Sequence, residues 1–155
     1  MGPKSNCDRP RDRPKLDSKF ENTVVDTTHP FRVYLVDDDP SVRTGLSRLL
    51  RVSGFEVMAF DAPEKFLAEV SQDWNGCVLL DMALPRVTGL QVQERLRGMG
   101  ICLPVIAMSA RDDDGVREAA RALGVRFFLH KPVDDQALLD AIAWVTGTTA
   151  QDKAP

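Results

Sequence analysis

Cys77-Val78-Leu79-Leu80-Asp81 is an apolar run that stops abruptly on a carboxylate, and Pro85, Thr88 and Gly89 follow it. A run of this length bounded by turn formers reads as a strand buried on both faces, the kind found in the middle of a parallel sheet. An aspartate at its carboxyl end is costly unless something there uses the charge, because ligand sites in such sheets open at the carboxyl ends of the strands.

Upstream, Arg32-Val33-Tyr34-Leu35-Val36 reads as a strand that ends at Asp37-Asp38-Asp39. Pro40 suits the first turn of a helix with Asp39 as its N-cap. Val42, Leu46, Leu49 and Leu50 give that helix an apolar face, and Gly54 stops it. Phe55 to Phe60 is a second strand, and Asp61 and Glu64 have capping-box spacing ahead of a helix through Phe66, Leu67 and Val70. Downstream of Asp81, a helix over Leu90 to Leu96 is broken by Gly98 and Gly100, and Leu103 to Met108 is an apolar strand ending at Ser109. Val116, Ala119, Ala120 and Leu123 mark a fourth helix closed by Gly124. Arg126-Phe127-Phe128-Leu129 is the last strand, ending at His130-Lys131-Pro132, and Leu138, Leu139, Ile142 and Val145 line a final helix that Gly147 ends. Five strand–helix units imply an α/β fold, a five-stranded parallel sheet with helices on both faces.

Residues 1–30 differ in character. They hold four prolines and one aromatic residue, with six basic against five acidic residues in no period. Such a segment cannot bury enough apolar surface to offset its ordering entropy, so it reads as a disordered leader, with a short helix or strand conceivable around Phe20–Val25. The expected organisation is a leader over 1–30, a domain over 31–146 and a polar tail over 147–155. The chain of 155 residues has room for one such domain with a proper core. With 43% hydrophobic residues, 28% charged residues and a net charge of −3, it lacks the basic excess that phosphate binding needs, so no nucleic acid contact is expected of the chain itself. No apolar run approaches a membrane span or the core of a signal peptide. Cys7, Cys77 and Cys102 are too few and too scattered for a disulfide framework, and His29 and His130 do not join them at zinc spacing. A reducing cytoplasm is the simple expectation.

The polar exceptions fall at one place in each unit: Asp37 and Asp38 after the first strand, Asp81 after the third, Ser109 after the fourth and Lys131 after the fifth. In a parallel sheet these ends share one edge. If the first and third strands are neighbours with crossovers on opposite faces, a crevice opens between them. Three carboxylates there would repel one another, and Mg²⁺, which binds through few carboxylates plus water and a phosphoryl oxygen, removes that conflict. A lysine and a hydroxyl opposite would complete a phosphoryl site in which one carboxylate is the nucleophile.

Four segments in this order, VYLVDDDPSVRTGLSRLLRVSGFEV, VLLDMALPRVTGLQV, PVIAMSA and ALGVRFFLHKP, resemble the receiver domain of two-component response regulators, in particular its FixJ-like branch. The resemblance covers Arg32 to about Trp144. It implies a flavodoxin-like (βα)5 fold with strand order 2-1-3-4-5 and a phosphoryl group accepted on Asp81 from a sensor histidine kinase, with Mg²⁺ required. By position, Asp38 would bind Mg²⁺ directly and Asp37 mainly through water or Lys131, with Asp81 and the carbonyl of Ala83 as the remaining protein ligands. Lys131 would pair with the phosphoryl group or its acceptor, and Ser109 would move to bond a phosphoryl oxygen. Phe128 stands at the position of the aromatic that turns inward when Ser109 moves. The resemblance further implies a cis Lys131–Pro132 bond, a cytoplasmic location, and a homodimer of the phosphorylated form through the fourth helix, fifth strand and fifth helix. It implies a signalling domain rather than an enzyme, with transcriptional regulation as its output.

Two positions depart from the family pattern. Leu84 stands where methionine is frequent. Phe127 stands where an acidic residue is common; pointing opposite to Phe128 on an edge strand, it is expected to be exposed at a dimer or partner contact. Plainer readings exist for each residue. Asp39, Asp134 and Asp135 fit helix starts, where negative charge is favoured. Phe128 could be an ordinary core residue and Ser109 a loop residue. The competing function is a small metal-dependent phosphohydrolase of the haloacid-dehalogenase type, with Asp37 as nucleophile, since Asp37-x-Asp39-x-Ser41 fits that superfamily's opening motif loosely. It leaves Asp81 without a task and the chain without the usual cap. Whether the receiver acts alone or heads a longer regulator stays open.

Overall fold

The structure is a computed structural model, and residues 31–111 and 114–146 are described. Five strands, β1 (Arg32–Val36), β2 (Glu56–Phe60), β3 (Gly76–Asp81), β4 (Val105–Ser109) and β5 (Val125–His130), form one parallel sheet in the order β2-β1-β3-β4-β5. They alternate with α1 (Pro40–Val52), α2 (Pro63–Glu69), α3 (Gly89–Gly98), α4 (Asp114–Ala122) and α5 (Asp135–Thr146). The expected leader over 1–30, the segment around Phe20–Val25, Gly147 and the tail over 147–155 lie outside the described residues.

Side-chain alternation along the central strands builds two cores, one on each face. Val33, Leu35, Cys77, Leu79, Ile106 and Met108 meet Leu46 and Leu50 of α1 and Leu138, Ala141 and Ile142 of α5. Tyr34, Val36, Val78, Leu80 and Ala107 meet Phe66 of α2, Val92 and Leu96 of α3 and Ala120 of α4. β3 is buried along its whole length, as its uninterrupted apolar text requires. Since α1 and α3 leave β1 and β3 on opposite faces, the crevice lies between the ends of these two strands.

Local chemistry sets most boundaries. Asp39 caps α1 through its side chain, which accepts from the backbone N–H of Ser41 and Val42, and Pro40 opens the helix. Gly54, at φ +98°, makes the left-handed exit that the end of α1 needs. Thr88 and Gln91 form a reciprocal capping box at α3. The capping box expected from Asp61 and Glu64 does not form. α2 instead starts behind Ala62 with no side-chain cap, and Asp61 pairs with Lys65 across one helical turn. Pro63, as the first helical residue, lacks one of the N–H groups that a cap would serve.

Phe127 is also corrected. It is half-buried and packs on the core beneath α1 and α5, while Phe128 faces the opposite core. The alternation was right; the exposure was not, because α5 covers that face of β5. Among the cysteines, Cys77 is a buried free thiol whose pKa burial pushes up to about 12. Cys102 lies in the loop ahead of β4. No helix among the described residues is long and apolar enough to cross a membrane.

Candidate functional site

The carboxyl ends of β1, β3, β4 and β5 deliver Asp37, Asp81, Ser109 and Lys131 to one edge, because each residue ends or directly follows its strand. Asp37 is fully buried and Asp81 is 4% exposed. The Lys131 ammonium donates to Asp37 Oδ2 at 2.8 Å and lies 3.5 Å from Asp81 Oδ2. The remaining Asp37 oxygen accepts the Asp39 N–H at 2.9 Å, and Arg43 donates to the Asp37 carbonyl at 2.9 Å. Asp81 Oδ1 accepts the N–H of Ala83 at 3.0 Å, which ties that peptide to the carboxylate. The Lys131–Pro132 bond is cis, as the resemblance implied.

Burial raises the Asp81 pKa above its ordinary value, and the charges of Asp37 and Asp38 add to the rise. The Ala83 N–H and the Lys131 ammonium act against it. Burial alone would lower the pKa of Lys131, but the hydrogen bond to Asp37 and the field of Asp81 outweigh it and leave the ammonium more firmly protonated than usual.

Asp37, Asp38 and Asp81 each present a carboxylate oxygen, and these atoms lie within 4.8 Å of one another. Asp38 is exposed while the other two are buried, so the cluster opens to solvent on one side. Hard oxygen donors at this separation, with an open side for water and substrate, suit Mg²⁺.

Ser109 is buried beside this cluster's strand ends, yet its hydroxyl is turned into its own loop. It donates to the Arg111 carbonyl at 3.1 Å and accepts the Arg111 N–H at 3.0 Å. Phe128 is half-buried against the core of α2, α3 and α4. Lys131 therefore contacts both Asp37 and Asp81, Asp38 joins these two carboxylates in one cluster, and the Ser109 hydroxyl is bonded within its own loop. Sequence reasoning missed Arg43, which braces the Asp37 peptide, and Arg117, whose guanidinium carbon lies 5.0 Å from the Phe128 ring centroid. Neither carries a local signal, since an arginine on a helix reads as a solvated face. Asp134 accepts from Ala137 N at the start of α5, which bears out its plainer reading as a cap.

The competing assignment of Asp37 as a nucleophile fits this geometry poorly. Both of its oxygens are engaged, one by the Asp39 N–H and the other by Lys131.

Comparison with known proteins points the same way. The family described as the response regulator receiver domain matches residues 33–143. Nodulation protein W of Bradyrhizobium diazoefficiens is 37% identical over 114 residues, covering 74% of this chain and 50% of that protein. The transcriptional regulatory protein TdiR of Thauera aromatica is 39% identical over 110 residues, covering 71% of this chain and 48% of its own length. Among solved structures, the crystal structure of FixJ-N superposes with a TM-score of 0.72 at 28% identity, covering 77% of this chain and 95% of that one. The chain spans about half the length of the curated relatives it matches. With the family matching residues 33–143 and the strand order that of the expected fold, the chain belongs to the receiver domains of response regulators.

Proposed function

We propose that Asp81 is the phosphoacceptor of this receiver, loaded by a sensor histidine kinase. The observation that carries the reading is the asymmetry of the edge: both oxygens of Asp37 are engaged, by the Asp39 N–H and by Lys131 at 2.8 Å, whereas Asp81 takes the Ala83 N–H on one oxygen and turns the other toward Lys131 at the longer distance of 3.5 Å. A carboxylate oxygen of Asp81 attacks phosphorus, a P–O bond forms, and the P–N bond to the kinase histidine breaks with its electron pair returning to the imidazole. Lys131 neutralises a phosphoryl oxygen. The Ser109 hydroxyl exchanges the Arg111 backbone for another.

Mg²⁺ would be held directly by Asp38 and Asp81 and the Ala83 carbonyl, and by Asp37 mainly through water. When bound, it supplies positive charge against the equatorial phosphoryl oxygens. The new charge at Asp81 biases the packing of α4 and β5, with Phe128 turning inward as Ser109 moves. A few kcal/mol of differential stabilisation is enough for such a shift. In this reading the folded module is residues 31–146, flanked by a leader and a polar tail. It acts in the cytoplasm as a phosphoacceptor rather than a turnover enzyme, and the phosphorylated form pairs through α4, β5 and α5. The output is transcriptional regulation, supported by the similarity to TdiR, a transcriptional regulatory protein.

The test is to incubate the chain with Mg²⁺ and a small phosphodonor and to map the modified residue by mass spectrometry. Modification of Asp81, dependent on Mg²⁺, is expected. Modification at Asp37, or steady turnover of phosphate monoesters, would overturn the reading.

A further inference from the structure

The helices differ in how they are held to the sheet. Buried residues are Leu46, Ser47 and Leu50 on α1, Val92, Gln93 and Leu96 among others on α3, and Leu138, Ala141 and Ile142 on α5. Among the described residues of α4, Ala120 alone is buried. A helix with so little apolar burial is held substantially by specific side-chain ties, and α4 has one near each end. Just past its carboxyl end, Gln93 Nε2 donates to the Leu123 carbonyl at 2.8 Å from a buried position. In its first half, the Arg117 guanidinium lies over the ring of Phe128 on β5. Val116 and Phe128 both pack, half-buried, on the same core.

We infer that Arg117 is a positioning residue of the switch, its guanidinium lying over the Phe128 ring and holding α4 to β5 in the unphosphorylated packing. The inference rests on the reading of Asp81 as phosphoacceptor and of Phe128 as the aromatic that moves. In the present packing the Ser109 hydroxyl is committed to the Arg111 backbone and Phe128 is committed to Arg117. Turning the ring inward removes it from the guanidinium, so phosphorylation acts against this contact while the Gln93 tie holds the other end of the helix. Loss of the cation therefore lowers the resting state's advantage and favours the phosphorylated packing.

The test is calorimetric titration of the full chain with beryllofluoride in Mg²⁺. Arg117→Gln and Arg117→Met are each expected to tighten apparent affinity by about two- to fivefold, the factor matching a cation–π contact at a partly exposed site. Arg117→Lys, which keeps the cation, stays nearer the parent. Arg117 makes further interactions, so the same substitutions are repeated in a chain carrying Phe128→Leu, where the gain should disappear. Unchanged affinity in the chain that keeps Phe128, or a gain of equal size in the Phe128→Leu chain, overturns the inference. A parent chain that binds no beryllofluoride at Asp81 overturns the phosphoacceptor reading instead, so the two failures are distinct.

Discussion

Asp37 and Asp81 end neighbouring parallel strands, both are buried, and both face Lys131, yet the structure treats them differently. Asp37 is saturated: one oxygen takes the Asp39 N–H and the other the Lys131 ammonium at 2.8 Å. Asp81 is bonded to Ala83 N–H through one oxygen, and its other oxygen stands at the longer distance of 3.5 Å from Lys131. Burial and its two acidic neighbours raise its pKa. The same residue type at the same kind of strand end is thus an anchor in one case and a strained charge in the other. The difference lies in which carboxylate claims the lysine.

The largest effect that would break this comparison is in labelling. Asp81→Asn should abolish modification by a small phosphodonor, whereas Asp37→Asn should slow it but leave the label on Asp81, as peptide mapping would report. Next is Lys131→Met, which leaves the buried Asp37 carboxylate without its cation. Thermal unfolding in Mg²⁺-free buffer at pH 7 should show a loss of about 2–4 kcal/mol, less than for a fully buried pair because Lys131 retains some exposure. The smallest effect has the opposite sign. Asp81→Asn removes a charge that folding penalises, and should raise Tm at pH 7 by a few degrees.

The pH dependence of that last difference sharpens it. The folded-state pKa of Asp81 lies above its unfolded value, for which 3.8 serves as the reference. Below the unfolded pKa the carboxyl is neutral in both states and carries no penalty. As pH rises through the folded pKa, the native state must release a proton that it holds more tightly than the unfolded chain does, and stability is lost. The Tm gap between Asp81→Asn and the parent should therefore be small at the acid end, widen with rising pH, and then level off. A gap that narrowed with rising pH would mean that Asp81 is stabilised as an anion, like a salt-bridged anchor.

Much of this was legible in the sequence. The apolar run through Leu80, the alternation of strand and helix patterns, the cap at Asp39 and the glycine exit at Gly54 are local properties. The polar residue at each strand end was visible too, and the four segments around them carried the family resemblance. Thr88 and Gln91 have capping-box spacing and form the box, whereas Asp61 and Glu64 have the same spacing and form none. Spacing identifies residues able to cap; it does not say where the helix begins, and at α2 the helix begins at Pro63. Phe127 failed for a related reason. Alternation fixed which face it points to, but its burial depends on α5, which follows it in the chain and folds back over it.

By itself the sequence determined the elements, their order and the set of residues at the sheet's carboxyl edge, because these depend on period, turn chemistry and composition along one segment at a time. Only the tertiary structure decided the division of labour among those residues. That Lys131 grips Asp37 more closely than Asp81, that Ser109 is held by Arg111, and that Arg117 lies over Phe128 are matters of ångströms between segments distant in the chain or of side-chain orientation. Such distances follow from strand register and helix packing, which no single segment encodes.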